Sequence, residues 1–353
     1  MGRARTAQDL QPYPALLARP IRSVLVIKPR AIGDVLLSTV VTPNLRHAFP
    51  EARIDFLTEA PAADIIRGNP HIDEAIIFHP GKDSFVRLLW RLFRARYDIV
   101  FDLFCNPRTA QCAAATRAAV RVGYPFRGRA WAYNVHVETR ADRVHNTQFN
   151  LDPLRRLGIP VVNESPVFPL DDAIMERMRE VTTGSRKRSG PLIALNPSGT
   201  WETKRWPLTS FAELADRLIE AYDADILLLW GPGEEADVEA ISREMTHQVI
   251  IPPKTSIREL GAMLATCDFM ISNDAGPMHI AAAVDIPTLG IFGPTNPVLQ
   301  GPWNAKSTWV RLEELDCLGC NLTACSIGNI CMRNLPVDTV LHAFEQLQTG
   351  LRT

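Results

Sequence analysis

The stretch 266–294 narrows the folds open to this chain more than any other. Phe269 to Ser272 is a short apolar run with strand character. It leads into the polar turn Asn273-Asp274-Ala275-Gly276-Pro277, an alanine-rich helical stretch from Met278 to Val284, and a second apolar run, Thr288 to Phe292, that ends in Gly293-Pro294. Strand, helix and strand in this succession make a βαβ unit, whose two strands run parallel. The loop after the first strand then lies at the carboxyl edge of the sheet, where the next helix directs free N–H groups outward and an anion is stabilised. Asn273, Asp274 and Gly276 are also ordinary turn and capping residues. His279 falls in the first turn of the helix, so a carboxylate, N–H groups and an imidazole share one edge. Such a set suits a ribose, a pyrophosphate and a sugar hydroxyl.

The same alternation recurs along the chain. Val24 to Ile27 precedes the loop Lys28 to Asp34 and a helical stretch from Val35 to Phe49, and further strands are expected at Arg53 to Leu57, Glu74 to Phe78, Ile99 to Leu103 and Val120 to Gly123. A second series begins with Leu192 to Leu195 and continues through Ile226 to Trp230 and Gln248 to Ile251 into the βαβ unit. Strands alternating with helices predict an α/β chain with parallel, doubly wound sheets, and 353 residues make about two domains. The expected organisation is an arm over 1–20, a first domain over 21–165, a linker over 166–190, a second domain over 191–335, and a terminal helix over 336–353 that crosses back toward the first domain.

Several loops at the carboxyl edges carry chemistry. Asp34 opens a helix between the cations Lys28 and Arg30; it is either a helix cap or a general base. The glycine fingerprint of dinucleotide-binding folds is absent here. The loop Asn196 to Pro207 offers Ser198, Thr200 and Lys204 as donors to phosphate oxygens, beside Trp201 and Trp206. Gly231 and Glu234 follow the next strand, and Thr255 and Ser256 follow the one after. Together with Asp274, Ala275, Gly276 and His279, these positions could surround a nucleotide.

Charge is divided unevenly. Residues 1–160 hold 23 Lys and Arg against 14 Asp and Glu, while residues 161–353 hold 15 against 25. A basic first half points to an anionic partner, and no nucleic-acid motif is present. No apolar run approaches the ~20 residues that span a bilayer, and the N-terminal stretch lacks the apolar core of a secretory signal. A cytoplasmic location is expected. In the segment Lys82 to Tyr97, Phe85, Leu88, Leu89, Leu92 and Phe93 share one helical face, with Arg87, Trp90, Arg91 and Arg94 away from its centre. That pattern fits first a helix packed on a sheet; a basic amphipathic helix at a membrane surface is the second reading. Arg117, Arg121, Arg127 and Arg129, with Trp131 and Tyr133, extend the basic and aromatic character.

Of seven cysteines, Cys317, Cys320, Cys325 and Cys331 are clustered. This spacing is compatible with a structural zinc ion, with disulfides or with free thiols.

Four separated segments carry a family likeness: Ile27 to Val35, Asn196-Pro197 through Lys204-Arg205-Trp206-Pro207, Ser272 to His279, and Phe292-Gly293-Pro294-Thr295. In these the chain resembles glycosyltransferase family 9, the lipopolysaccharide heptosyltransferases. The resemblance implies a GT-B fold, two Rossmann-like domains with parallel sheets facing across a cleft, the acceptor on the first and the nucleotide-sugar donor on the second. It implies an inverting, metal-independent transfer with no catalytic cofactor, most simply of heptose from ADP-heptose to a lipopolysaccharide core or related anionic glycolipid. By position, Asp34 is then the base, Lys204 neutralises the donor diphosphate, Thr200 assists, and Asp274, Gly276 and His279 form the donor loop. Lys28, Arg30, Arg127 and Arg129 are the cations available to an anionic acceptor, presented at the inner face of the cytoplasmic membrane. Ala275 stands where members specific for ADP-heptose often carry Thr or Ser, which removes a hydroxyl from the donor pocket. A nucleotide-sugar epimerase of the same architecture and a non-catalytic nucleotide-sugar-binding protein are the alternatives.

Overall fold

The structure, a computed structural model, describes residues 19–351. Apart from Arg19 and Pro20, the expected N-terminal arm lies outside the described residues. The chain divides into two compact units between Pro169 and Leu170.

In the first unit, six strands form one sheet: β1 (Ser23–Ile27), β2 (Arg53–Glu59), β3 (Glu74–Phe78), β4 (Ile99–Asp102), β5 (Val120–Gly123) and β6 (Val135–His136), in the order β3-β2-β1-β4-β5-β6. Every neighbouring pair is parallel. Val26 sits beside Phe56 on one side and Phe101 on the other. Val24 to Ile27 are fully buried, which explains the unbroken apolar run, since a central parallel strand is covered on both faces. Strand order reverses between β1 and β4, and in open α/β sheets ligands bind beyond the carboxyl ends of the strands at such a switch point.

Two helical expectations change. The stretch Val35 to Phe49 is not one helix but two, Ile32–Ser38 and Val41–Ala48. At the break, the Ser38 and Thr39 hydroxyls donate to the carbonyls of Val35 and Leu36 at 2.7 and 2.6 Å, local bonds that compete with helix continuation. In the helix Phe85–Ala95, Leu88 and Leu92 are buried as expected, whereas Phe93 is 47% exposed. One residue turns a helix by about 100°, so Phe93 lies well round the axis from the line through Leu88 and Leu92.

The second unit holds β7 (Leu192–Asn196), β8 (Asp225–Leu228), β9 (Phe269–Asn273), β10 (Thr288–Phe292) and β11 (Thr308–Arg311), all parallel, in the order β11-β10-β9-β7-β8. The strand expected at Gln248 to Ile251 is reduced to a single bridge between Leu227 and Ile250. Pro252 and Pro253 follow it, and neither offers an N–H to extend the ladder. With that bridge counted, the second sheet has the strand order of the first, and its switch point falls between β7 and β9.

Between the sheets in sequence, the expected linker 166–190 contains the helix Asp172–Ser185. Asp171 starts it by accepting from the backbone N–H groups of Ala173 and Ile174, both at 3.1 Å, the usual office of an N-cap aspartate. The terminal helix, expected over 336–353, is Val337–Gly350, and its buried Val340, Leu341 and Phe344 lie in the core of the second unit. Phe344 meets the rings of Phe269 and Tyr222 edge-on, with centroids 5.2 and 5.7 Å away. Gly290, in the middle of β10, admits the helix Gly276–Ala283: a Cβ there would come within 2.9 Å of the Met278 sulfur.

Candidate active site

At the switch point of the second sheet, two loops are stitched together by side-chain amides. Asn196, the last residue of β7, donates to the Ser272 hydroxyl at 2.9 Å. Asn273, the last residue of β9, accepts from the Trp206 N–H at 3.2 Å and donates to the Pro197 carbonyl at 2.7 Å. Trp206 is buried against Phe211, and its indole N–H donates to the Leu335 carbonyl at 3.0 Å. The short helical turn Glu202–Lys204 hangs between these anchors. Asn273, read from sequence as a turn residue, thus holds the two loops in register.

That scaffold positions Lys204. Its ammonium lies 2.6 Å from Asp274 Oδ2 and 4.4 Å from the centre of the Trp201 ring. The Thr295 hydroxyl donates to the same carboxylate oxygen at 2.6 Å. Asp274 and Thr295 are both buried. Thr295 joins the expected pair Lys204 and Asp274 in this cluster, and its signal in the sequence is its place in the Phe292 to Thr295 segment. The helix Gly276–Ala283 begins directly beyond Asp274, with Ala275 at its cap position making no side-chain bond to the helix N–H groups. Gly276 is half-buried at the first helical position and His279 is buried in the first turn. A cation held beside an uncapped helix N-terminus is an arrangement suited to phosphate oxygens.

Other expected donor residues are engaged elsewhere. Ser198 donates its hydroxyl to Glu234, whose carboxylate also accepts from the Gly231 N–H at 2.8 Å; the three form one closed turn. Ser256 caps the helix Ile257–Leu264, accepting from the Glu259 N–H at 3.2 Å and donating to the Glu259 carboxylate at 2.9 Å. Thr255 beside it is half-buried. Thr200 is exposed and lines an open pocket of about 790 Å³ with Arg205, Asp237 and Arg333.

At the switch point of the first sheet, Asp34 occupies the first turn of the helix Ile32–Ser38 and is half-buried. One carboxylate oxygen accepts from the Ala31 N–H at 3.4 Å; the other accepts from the Asn146 side-chain amide at 2.8 Å. Asp34 is therefore the third residue of the helix and not its cap: one oxygen reaches back to the N–H of the cap residue Ala31, and the other is held by Asn146. Asn146 is the first residue of the helix Asn146–Leu157, capped by His145, and no local pattern links it to Asp34.

The four cations expected on this side separate into two groups. Lys28 is buried, donating to the Leu103 carbonyl at 3.1 Å. Burial pulls its ammonium below the ordinary lysine value, opposed first by the neighbouring Asp34 and then by Cys105 and Asp102. Arg30 and Arg127 are exposed, and Arg129 is half-buried with its Nε lacking a hydrogen-bond partner among the described residues. Beneath Lys28, Asp102 is fully buried and accepts from the N–H groups of Phe104 and Cys105 at 3.0 and 2.8 Å and from the Tyr133 hydroxyl at 2.8 Å. Burial raises the Asp102 carboxyl above the usual range against these bonds.

All seven cysteines are free. The Cys325 sulfur accepts from the Asn329 N–H at 3.3 Å, and the Cys331 thiol lies 3.7 Å from the Asn329 side-chain oxygen. Burial first, then the neighbouring Cys317, Cys320 and Cys325, pushes the Cys331 thiol up. Among the described residues no three His, Cys, Asp or Glu side chains are grouped so as to hold a metal ion.

The family model for glycosyltransferase family 9 (heptosyltransferase) matches residues 86–331. The chain belongs to glycosyltransferase family 9. It is 26% identical over 312 residues to a lipooligosaccharide heptosyltransferase 2 of Haemophilus influenzae, covering 83% of this chain and 89% of that one. Its fold matches a family 9 glycosyltransferase from Veillonella parvula with a TM-score of 0.83 at 23% identity, over 93% and 98% of the two chains. An ADP-heptose lipopolysaccharide heptosyltransferase II from E. coli superposes with a TM-score of 0.74 at 20% identity, over 94% of this chain and all of the other. The GT-B class expected from sequence is thereby established, with two Rossmann-like units of parallel sheet. As a family 9 member the chain is a glycosyltransferase, which settles the choice against an epimerase or an idle binding protein.

Proposed function

We propose that this glycosyltransferase moves heptose from ADP-heptose onto the anionic core of a lipopolysaccharide-type glycolipid, with inversion and without a metal ion in the chemical step. The observation that carries the reading is the Lys204–Asp274–Thr295 cluster beside an uncapped helix N-terminus: an ammonium already oriented where a leaving diphosphate needs positive charge does the work otherwise left to a divalent cation. The names of relatives support the sugar and the acceptor. In this reading residues 21–165 take the acceptor, with Arg30, Arg127 and Arg129 as its cations, and residues 191–335 take the donor.

Asp34 acts as general base. It removes the proton from the attacking acceptor hydroxyl as that oxygen bonds to the anomeric carbon, from the face opposite the diphosphate. The carbon–oxygen bond to ADP breaks, and its electron pair passes to the diphosphate oxygen, stabilised by Lys204 and the helix N-terminus. A single displacement inverts the anomeric centre. The site of action is the cytoplasmic side of the inner membrane, where a lipid-linked acceptor is presented. No described helix is long and apolar enough to cross a membrane.

The reading is tested by thermal shift with ADP-, GDP-, UDP- and dTDP-sugars, then by transfer to a deep-rough lipopolysaccharide acceptor in the presence of EDTA. Stabilisation by ADP-sugars and EDTA-resistant transfer with inverted linkage are expected; a preference for UDP-sugars, or retention of configuration, overturns it.

Asn146 is a positioning residue in this scheme, since its amide fixes one oxygen of the base. Asn146→Ala is expected to lower kcat about tenfold with donor KM unchanged, the scale of one lost hydrogen bond to a charged group, ~1.5 kcal/mol. Steady-state kinetics checks it: a rise in donor KM at unchanged kcat would assign Asn146 to another task.

A further inference from the structure

We propose that the outer face of the helix Phe85–Ala95 docks the protein on an anionic lipid bilayer. Val86, Trp90 and Phe93 are 73%, 60% and 47% exposed. They stand four and then three residues apart, which is one stripe along a helix. Arg87, Arg91 and Arg94 repeat the same spacing one position on and form a second, basic stripe beside the first. Leu88 and Leu92 bury the opposite side, so the outward aromatics are left over after the helix has completed its own packing.

The chemistry of the face selects the partner. Arg94 covers the Trp90 ring at 4.7 Å, and Arg117 covers Phe93 at 5.8 Å. Trp90, Phe93, Arg94, Arg96 and Arg117 line an open pocket of about 800 Å³ whose lining includes no carboxylate. The acidic groups nearby are engaged: Glu74 pairs with Arg53 and Arg91, Asp83 with His79, and Asp98 accepts from the N–H groups of Arg22 and Ser23. Aromatic rings at the level of the headgroups, with guanidinium groups reaching the phosphates, are the two components of an interfacial helix. Each arginine near an anionic surface multiplies binding about fivefold. This surface deepens the proposed function, because a lipid-anchored acceptor lies on such a bilayer. Binding to the bilayer does not itself depend on the acceptor.

The test is co-sedimentation of the full chain with vesicles of phosphatidylcholine alone or mixed with phosphatidylglycerol, neither containing lipopolysaccharide. Binding to the mixed vesicles only, weakened by salt, is expected. Arg87→Gln/Arg94→Gln should reduce it roughly 25-fold, and Trp90→Ala/Phe93→Ala should abolish it, each with wild-type melting and wild-type ADP-sugar stabilisation. Equal binding to both vesicle types, no binding to either, or unchanged binding by both variants overturns the proposal, as does pelleting without vesicles, which marks self-association of the chain. Vesicle binding that persists while transfer fails would sink the proposed function and leave the docking face standing.

Discussion

Asp34→Asn is expected to lower turnover by about 10²- to 10⁴-fold, the range that a general base contributes, while ADP-sugar still stabilises the protein as it does the wild type. The substitution exchanges one oxygen for an NH2 group of nearly equal size. The remaining oxygen can still accept from Asn146, which in the wild type donates to Asp34 at 2.8 Å. What disappears is the capacity to take a proton. Single-turnover transfer at saturating donor, read beside a thermal-shift titration, separates chemistry from binding. Turnover within threefold of wild type would remove Asp34 from the role of base and leave it the structural contact with the N–H of the cap residue Ala31.

Lys204→Ala is expected to act twice, on donor affinity and on stability. The Lys204 and Asp274 side chains are only 17% and 6% exposed, and breaking a buried ion pair from one side costs about 3–5 kcal/mol because the other charge is left behind. Thr295 would be the remaining side-chain partner of Asp274, and a hydroxyl does not replace an ammonium. The variant should therefore melt lower than the wild type and lose its response to ADP-sugar. Combining it with Asp274→Asn removes the stranded charge, so most of the stability should return while nucleotide binding does not. Recovery of both in the double variant would make Lys204 a structural residue, and the donor assignment would fall with it.

The central strands were legible because burial on both faces demands unbroken apolar runs, as in Val24 to Ile27 and Thr288 to Phe292. Edge strands carry no such demand. Val135–His136 has two residues, and Thr308–Arg311 mixes one buried valine with half-buried neighbours; both escaped notice. At the site, residue types disclosed chemistry but not partners. Ser198 and Ser256 offer the same hydroxyl that a phosphate would accept, yet each is engaged by a glutamate, Glu234 or Glu259. Lys28 looked like a free cation beside Asp34 because the sequence shows its neighbours in the chain and not the Leu103 carbonyl that its ammonium reaches. Asn146 lies 112 residues from Asp34, a separation that only the fold closes.

The two amide residues that end β7 and β9 have a thermodynamic consequence. Their bonds tie together the loops that carry Lys204 and Asp274 within the protein itself. The conformational entropy of those loops is thus lost on folding and not on binding, where each ordered residue would otherwise cost about 1–2 kcal/mol. Nucleotide affinity then follows the direct contacts that a donor makes, and a weaker donor analogue reports on a missing contact and not on a loop left unformed.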